Sequence, residues 1–376
     1  MSIKINQIFT PMYKTVFQSI IVSAVTVILG FIYSVLLARF LGPENRGIYG
    51  SILMIVALIS SFSQFGLAQG YVYQTRMAQR NGFQLLIHST VLISLSALII
   101  AFITKVFLLP NELTGFFFII TLLSLVTSIN SYFQNASQVE KKLYFYNTIK
   151  AFTPLVNILL LAGYYLHEPN IPLQAFINII LVSTLFSLLI LSYNLLLKEK
   201  NSRIITPLKL INISKYSLKI YGTSLLGIFI NNIDKIIILN VGTMKEFGLY
   251  GVAFGLSRLI GIIPETISMV IYSKFAGKSE SELSLAVKTF FSFLFIPLMC
   301  VCIIIIMLSS WLIPVIFGNE YRDSILPFIF LTCECVISGL GWLLSQRFNA
   351  SGRPGLVLFR QVISTVPLIY ICFLSI

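Results

Sequence analysis

Leu41-Gly-Pro-Glu-Asn-Arg-Gly-Ile-Tyr-Gly50 returns two hundred residues later as Val241-Gly-Thr-Met-Lys-Glu-Phe-Gly-Leu-Tyr-Gly251. Gly42 matches Gly242, and Gly47, Tyr49 and Gly50 match Gly248, Tyr250 and Gly251. Each copy follows directly on an apolar run. A second pair supports the first. Asn135-Ala136-Ser137 and Asn349-Ala350-Ser351 stand 214 residues apart, and each precedes an apolar run with an internal proline, Pro154 and Pro367. Single matches of this kind are weak, but four agreeing within a narrow range of offsets read as a duplicated chain.

The runs that carry these motifs belong in a bilayer. Of 376 residues, 57% are hydrophobic and only 10% charged, against about 25% charged in a soluble domain. Only a lipid phase absorbs this much apolar side chain, and each run is long enough to cross it as a helix. The spans read as 16–38, 48–69, 85–109, 113–133, 148–166, 174–197, 216–240, 248–272, 288–317, 322–345 and 355–376. The fold class is therefore an all-α polytopic membrane protein. The first span ends at Arg39 rather than at a small-residue cleavage site, so it reads as a retained helix and not a signal peptide.

The net charge of +13 looks like a nucleic-acid signal, but its placement argues against nucleic acid. The connecting segments alternate. One side carries Lys4, Lys14, Arg76, Arg80, Lys141, Lys142, Lys198, Lys200, Arg203, Lys209, Lys215, Lys274, Lys278, Arg347 and Arg353; the other carries only Arg39, Arg46, Lys105, Lys245 and Arg322. This is the positive-inside pattern, and it places the N-terminus in the cytoplasm. Contact with anionic membrane lipids is a secondary use of the same cations.

The duplication then divides the chain into an N-terminal lobe, 1–197, a cytoplasmic linker, 198–214, and a C-terminal lobe, 215–376. Six spans per copy is an even number, so both copies start on the cytoplasmic side. Such repeats are related by an axis along the membrane normal, as in transporters that rock two lobes around a central site. Residue 376 corresponds to about residue 163 of the first copy, so eleven helices are expected of a symmetric twelve.

Cys300, Cys302, Cys333, Cys335 and Cys372 all fall inside spans and imply no disulfide framework. Cys333-Glu334-Cys335 does not make a metal site, because neighbours two apart point to different faces of a helix. The connecting segments are too short to hold a catalytic domain, and no Ser/His/Asp set, metal cluster or nucleotide loop stands out. No catalytic residue and no cofactor are expected.

A charge at mid-span costs about 2.5–3.5 kcal/mol on insertion scales, so it usually faces a cavity or a partner. The candidates are Asp234, Lys235, Arg258, Glu265, Glu334 and Arg360. Asp234 and Lys235 follow Asn231 and Asn232; adjacent residues point about 100° apart, so they make no tidy pair. Arg258 and Glu265, two turns apart on one face with Pro264 between them, form a stripe that suits a phosphate contact or an internal ion pair. Arg39 and Arg46 flank the first repeat motif, Arg46 in an expected loop. A guanidinium matches phosphate in bidentate fashion, while interfacial anchoring is the plainer alternative. Arg360 and Lys150 lie near expected cytoplasmic ends, where anchoring explains them as well. His88 and His167 read as ordinary. Pro154, Pro264, Pro297, Pro327 and Pro367 fall within spans, where hinges and simple tolerance are both open.

The order of motifs resembles a known family. Leu36-Leu-Ala-Arg-Phe-Leu-Gly-Pro-Glu-Asn-Arg-Gly-Ile-Tyr49, Asn231-Asn-Ile-Asp-Lys235 followed by Gly248-Leu-Tyr250, Phe317-Gly318 with Tyr321, and Asn349-Ala-Ser-Gly-Arg353 resemble the Wzx-type polysaccharide flippases of the multidrug/oligosaccharidyl-lipid/polysaccharide (MOP) exporter superfamily. The resemblance implies a two-lobed MOP/MATE-like fold in the bacterial cytoplasmic membrane. It implies movement of an undecaprenyl-diphosphate-linked oligosaccharide, an O-antigen or capsule unit, from the cytoplasmic to the periplasmic leaflet. Alternating access driven by a proton or sodium gradient goes with it, as do a polymerase and a chain-length regulator as pathway partners. On this reading Arg39, Arg46, Lys235 and Arg258 contact diphosphate or sugar, and Asp234, Glu265 and Glu334 couple the ion. The alternatives are another exporter of the same fold (a lipid II flippase or a cation-coupled drug extruder) and a membrane polysaccharide polymerase or glycosyltransferase. Several arginines argue against a site for cationic drugs, and short loops argue against the enzymes.

Overall fold

The computed structural model describes residues 2–68, 70–72, 83–139, 144–168, 170–199, 221, 225, 227–229, 231–275, 280–350, 356–357, 359–360 and 363. Helices α1 (Ser2–Ser63), α2 (Phe83–Phe107), α3 (Phe117–Ala136), α4 (Tyr144–His167), α5 (Leu173–Glu199), α6 (Ile233–Val241), α7 (Met244–Phe275), α8 (Glu280–Phe317) and α9 (Ile325–Ala350) account for nearly all of them. Short 3-10 segments at Asn111–Phe116, Ser137–Val139 and Asn319–Ser324 lead into or out of these helices. There is no strand among the described residues. Most of the expected 355–376 span, the linker from 200 onward and most of 216–230 lie outside them, as do Pro367 and the charges of 200–215.

Eight of the described helical stretches are long and apolar enough to cross a membrane. One of them, Ala24–Ser63, has 40 residues, about 60 Å at 1.5 Å per residue, twice the hydrocarbon thickness. It holds two of the expected spans, divided at Gly42, where φ is 67° and ψ 175°. That conformation is open essentially to glycine alone, and it turns the chain without a loop. The expected loop at 39–47 is thus helical on both sides of one residue. The following Pro43 stands at the start of the second arm, where a missing N–H removes no helical bond.

Large apolar side chains stand exposed, and small hydroxyl side chains are buried among the apolar cores. Phe102, Phe107, Phe118, Leu166, Phe293 and Met307 are among the most exposed side chains, as befits a hydrocarbon solvent. Ser63, Ser124, Ser128, Ser183 and Ser187 are fully buried. Most hydroxyls are consumed within their own helix, as with Thr90 Oγ1 to the Leu86 carbonyl at 2.7 Å and Ser124 Oγ to the Ile120 carbonyl at 2.7 Å. A few join helices: Ser63 Oγ donates to Ser128 Oγ at 3.1 Å, and Ser96 Oγ to the Ser63 carbonyl at 3.0 Å, linking α1, α2 and α3. Small residues and interhelical hydroxyls replace the hydrophobic effect as the source of cohesion between helices in lipid.

Packing gathers the chain into two compact units, Met1–Tyr33 with Ile48–Asn240, and Ser34–Gly47 with Val241–Ile376. In the first, Leu67, Tyr71, Leu86, Ile93, Tyr132, Phe133 and Leu191 form the core. In the second, Ile260, Leu283, Leu294, Leu298, Val336 and Leu343 do so, with α7 and α8 both packed on α9. Pro154, Pro264 and Pro297 sit inside helices as expected, and Pro314 joins them. Pro327 does not: it lies in the first turn of α9, where proline disturbs nothing.

Candidate functional site

The candidate charges fall into three places. The first is the repeat motif itself, within the second unit. Tyr321 donates its hydroxyl hydrogen to the Ala38 carbonyl at 3.0 Å, and Ser324 to the Leu249 carbonyl at 2.9 Å. Arg39 donates through Nε to the Ile316 carbonyl at 2.8 Å and through Nη2 to the Val315 carbonyl. These carbonyls belong to the last turn of α8, which no intrahelical N–H can reach. A guanidinium there satisfies them and opposes the negative end of the helix dipole. Arg46 lies in the second arm of α1, not in a loop. It is 9% exposed and folds back on Ser34, with Nη1 to the carbonyl at 2.7 Å and Nη2 to Oγ at 2.9 Å. Of the three arginines expected to meet substrate, Arg39 bonds the end of α8 and Arg46 bonds Ser34 within α1.

The two copies of the motif start their helices by different means. The second copy uses a capping box: Thr243 Oγ1 accepts from the Glu246 N–H at 3.2 Å, and Glu246 Oε2 accepts from the Thr243 N–H at 2.8 Å. Thr-x-x-Glu is readable in the sequence but was not among the expected features. The first copy relies on Gly42 and Pro43 instead.

The second place is Asn231–Lys235, in the first unit. The expected continuous helix 216–240 is interrupted there by a turn at 231–232, and α6 begins only at Ile233. The Asn232 N–H bonds to the Phe229 carbonyl three residues back, at 3.2 Å. Its side-chain Nδ2 then serves the Ile228 carbonyl at 2.8 Å, the acceptor a regular helix would have given to the backbone. Lys235 Nζ reaches the Asn231 carbonyl at 2.9 Å and Asn232 Oδ1 at 3.4 Å. It also lies 3.8 Å from Asp234 Oδ1, so the neighbours approach more closely than a regular helix suggests. The four polar residues are the chemistry of a local break in a span, the kind of irregular backbone that membrane proteins keep for sites.

The third place is at mid-span in the second unit. Arg258 of α7 pairs with Glu334 of α9, Nη2 to Oε2 at 3.3 Å, with the side chains 43% and 49% exposed. The guanidinium also lies over the Phe254 ring, 4.7 Å from its centroid. Phe254 precedes Arg258 by one helical turn, so this stacking was legible in the i, i+4 spacing. The carboxylate partner was not. Glu265, on the same helix as Arg258, is exposed, but it is Glu334, from another helix, that closes the ion pair. Cys335 beside Glu334 is buried while Cys333 is half-buried, so the Cys-Glu-Cys triplet does not converge. Among the described residues no group of three or more His, Cys, Asp or Glu could hold a metal ion. Arg360 donates to the Gly341 carbonyl of α9 at 2.7 Å, a tie between helices rather than an anchor at the surface.

Many apolar helices, with ionisable residues paired at mid-span and one helix broken, define a multi-pass membrane protein, and the solved structures it resembles give it the fold of the MOP transporters. An inward-facing multidrug-resistance MATE transporter of the MOP superfamily matches with TM-score 0.64 at 15% identity, over 94% of this chain and 90% of that one. A MOP-superfamily transporter from Pyrococcus furiosus, noted for the reverse polarity of its binding pocket, matches with TM-score 0.57 at 15% identity, over 93% and 85%. The MATE multidrug transporter DinF-BH gives 0.60 at 14%, over 97% and 89%. At these identities the likeness fixes the fold. The family comes from the sequence: the polysaccharide biosynthesis protein model matches residues 36–326, more than three quarters of the chain, and the chain belongs to that family. No curated protein matches it. The family and fold expected from the repeat motifs are therefore both found.

Proposed function

We propose that the chain is a flippase for lipid-linked oligosaccharide. It moves an undecaprenyl-diphosphate-linked O-antigen or capsule unit from the cytoplasmic to the periplasmic leaflet of the bacterial cytoplasmic membrane, with its N-terminus cytoplasmic. The observation that carries this reading is the half-exposed Arg258 guanidinium at mid-span, in a chain of the polysaccharide biosynthesis family. A cation with donors to spare, at bilayer depth and on an apolar ring, suits a diphosphate whose lipid tail stays in the hydrocarbon. The paired carboxylate Glu334 holds the guanidinium in the unloaded protein and gives it up to the phosphate.

Lobes 1–197 and 215–376 rock by alternating access. Asp234, Glu265 and Glu334 are the carboxylates through which a proton or sodium gradient acts, and Lys235 a second cation for the substrate. Arg39 and Arg46 serve the frame rather than the substrate. The polymerase and chain-length regulator of the same pathway receive the product, and the chain itself performs no bond chemistry. Another MOP exporter function, a lipid II flippase or a drug extruder, is the competing reading, and the arginine at mid-span counts against cationic drugs. The test is deletion of the gene. Lipid-linked oligosaccharide should accumulate inside and surface polysaccharide should fall. Unchanged polysaccharide with no accumulation would sink the proposal.

A further inference from the structure

The connected ends of α4 and α5, within the first unit, carry a groove of about 700 Å³ that none of the candidate charges enters. Two matching stripes form its walls. On α4 the stripe runs through Leu159, Gly163 and His167, and on α5 through Gln174, Asn178 and Val182, each at the i, i+4, i+8 spacing of one helix face. Both stripes are polar beside the short connection 168–172, which is expected on the periplasmic side, and apolar further along. At the apolar end Leu159 and Val182 are 61% and 52% exposed. The middle stays open because Gly163 has no side chain: a β-carbon there would meet nothing within 4 Å. No lysine or arginine is among the described residues that line the groove.

We infer that this groove holds one phospholipid with a primary-ammonium headgroup, phosphatidylethanolamine, its head at the connection and one acyl chain between the helices. Length favours a lipid over a partner's spanning helix. From Leu159 to His167 α4 rises about 12 Å, most of one leaflet of a hydrocarbon core about 30 Å thick. The groove ends there, whereas a spanning helix needs a seat across the whole core. Charge then chooses the headgroup. Glu168 stands exposed at the connection and accepts the Tyr164 hydroxyl on Oε2 at 3.1 Å; its carboxylate has further acceptor sites for an ammonium N–H. Gln174 Nε2 donates to Asn178 Oδ1 at 3.4 Å, and the Gln174 side-chain oxygen is a second acceptor. The His167 imidazole has a ring N–H for a phosphate oxygen in either protonation state. An anionic lipid would set its charge against Glu168 with no cation to answer it, which also sets aside a diphosphate-linked substrate. A choline head carries the positive charge but no N–H. The site stands independently of the flippase reading.

The test is native mass spectrometry of the full chain released from nanodiscs holding equal parts of phosphatidylethanolamine, phosphatidylcholine and phosphatidylglycerol. The wild-type chain should retain the ethanolamine lipid about tenfold over the other two, the worth of one charge-assisted hydrogen bond. Glu168→Gln keeps the side chain's size and should bring the ethanolamine and choline lipids within about twofold of each other. Gly163→Leu fills the groove and should abolish retention of all three. Its β-carbon meets nothing within 4 Å, so its thermal midpoint in lipid-free detergent should stay at or above that of the wild type; should that variant unfold, Glu168→Gln still decides. Equal retention of the ethanolamine and choline lipids by the wild-type chain would overturn the headgroup assignment. Ethanolamine lipid held undiminished by Gly163→Leu would put it elsewhere on the protein and overturn the groove. Two further outcomes count against the proposal. One is displacement of the bound lipid by a polyprenyl diphosphate, which would give the groove to the substrate. The other is a benzophenone side chain placed at Leu159 that crosslinks to protein rather than lipid in native membranes, which would give it to a partner helix.

Discussion

Arg46 and Arg258 differ by one property that decides their roles. Arg46 is sealed beside the Gly42 turn, with two of its nitrogens committed to Ser34. Arg258 stands half-exposed at mid-span, held by one long-armed carboxylate and the face of Phe254. Both are arginines in a membrane domain, and both match phosphate equally well in isolation. A guanidinium at a helix end finds backbone carbonyls that need donors, and it becomes part of the frame. One at mid-span finds most carbonyls already bonded within their helix, and Arg258 is answered by a side chain, Glu334. On the function proposed above, the half-exposed mid-span cation Arg258 is the place for a ligand, and Arg46 is part of the frame.

Four substitutions sharpen or break this contrast. Arg258→Ala should have the largest effect on transport. A charge-assisted hydrogen bond contributes about 1.5–3 kcal/mol, so loss of one weakens substrate binding about 10- to 100-fold. Protein level should stay normal while lipid-linked oligosaccharide accumulates. Arg46→Ala should act the other way, lowering stability by about 2 kcal/mol through loss of the buried charge-assisted hydrogen bonds to Ser34, read as a fall in the thermal midpoint in detergent. If Arg46→Ala keeps its midpoint and stops transport, and Arg258→Ala does neither, the contrast is inverted. Thr243→Ala removes the capping box of α7 and should cost about 1 kcal/mol, visible as a smaller midpoint shift with transport retained. Phe254→Leu should be mildest: it keeps the bulk but loses the ring face, about 0.5–1 kcal/mol at a half-exposed site. A fewfold rise in the substrate concentration for half-maximal flipping, with the maximal rate unchanged, would show it.

The spans were legible because length and hydropathy are properties of a single segment. The ends of α2, α4 and α5 fall within a few residues of the expected 85–109, 148–166 and 174–197. The repeat was legible because Gly42, Gly47 and Gly248 carry backbone requirements that no other residue meets. What stayed hidden were partners far apart in the chain. Arg39 finds its carbonyls 276 and 277 residues on, and Arg258 finds Glu334 on a different helix, because periodicity says which face a residue occupies and not which helix faces it. Glu44-Asn45-Arg46 read as a loop for want of apolar side chains. The chain remains helical there because Gly42 alone turns it and the Arg46 side chain folds back. At Asn231-Asn232 the polarity was visible, but that Asn232 would serve its own helix's missing bond was not.

Lipid-linked oligosaccharide should cross the bilayer through this chain. The direct measurement is flipping by the purified protein in proteoliposomes, followed by protection of a labelled polyprenyl-diphosphate oligosaccharide from a membrane-impermeant quencher. Label should exchange between leaflets with the wild-type chain and lose most of that exchange in Arg258→Ala. Exchange no faster than in protein-free vesicles, with the wild-type chain folded and inserted, would contradict the account.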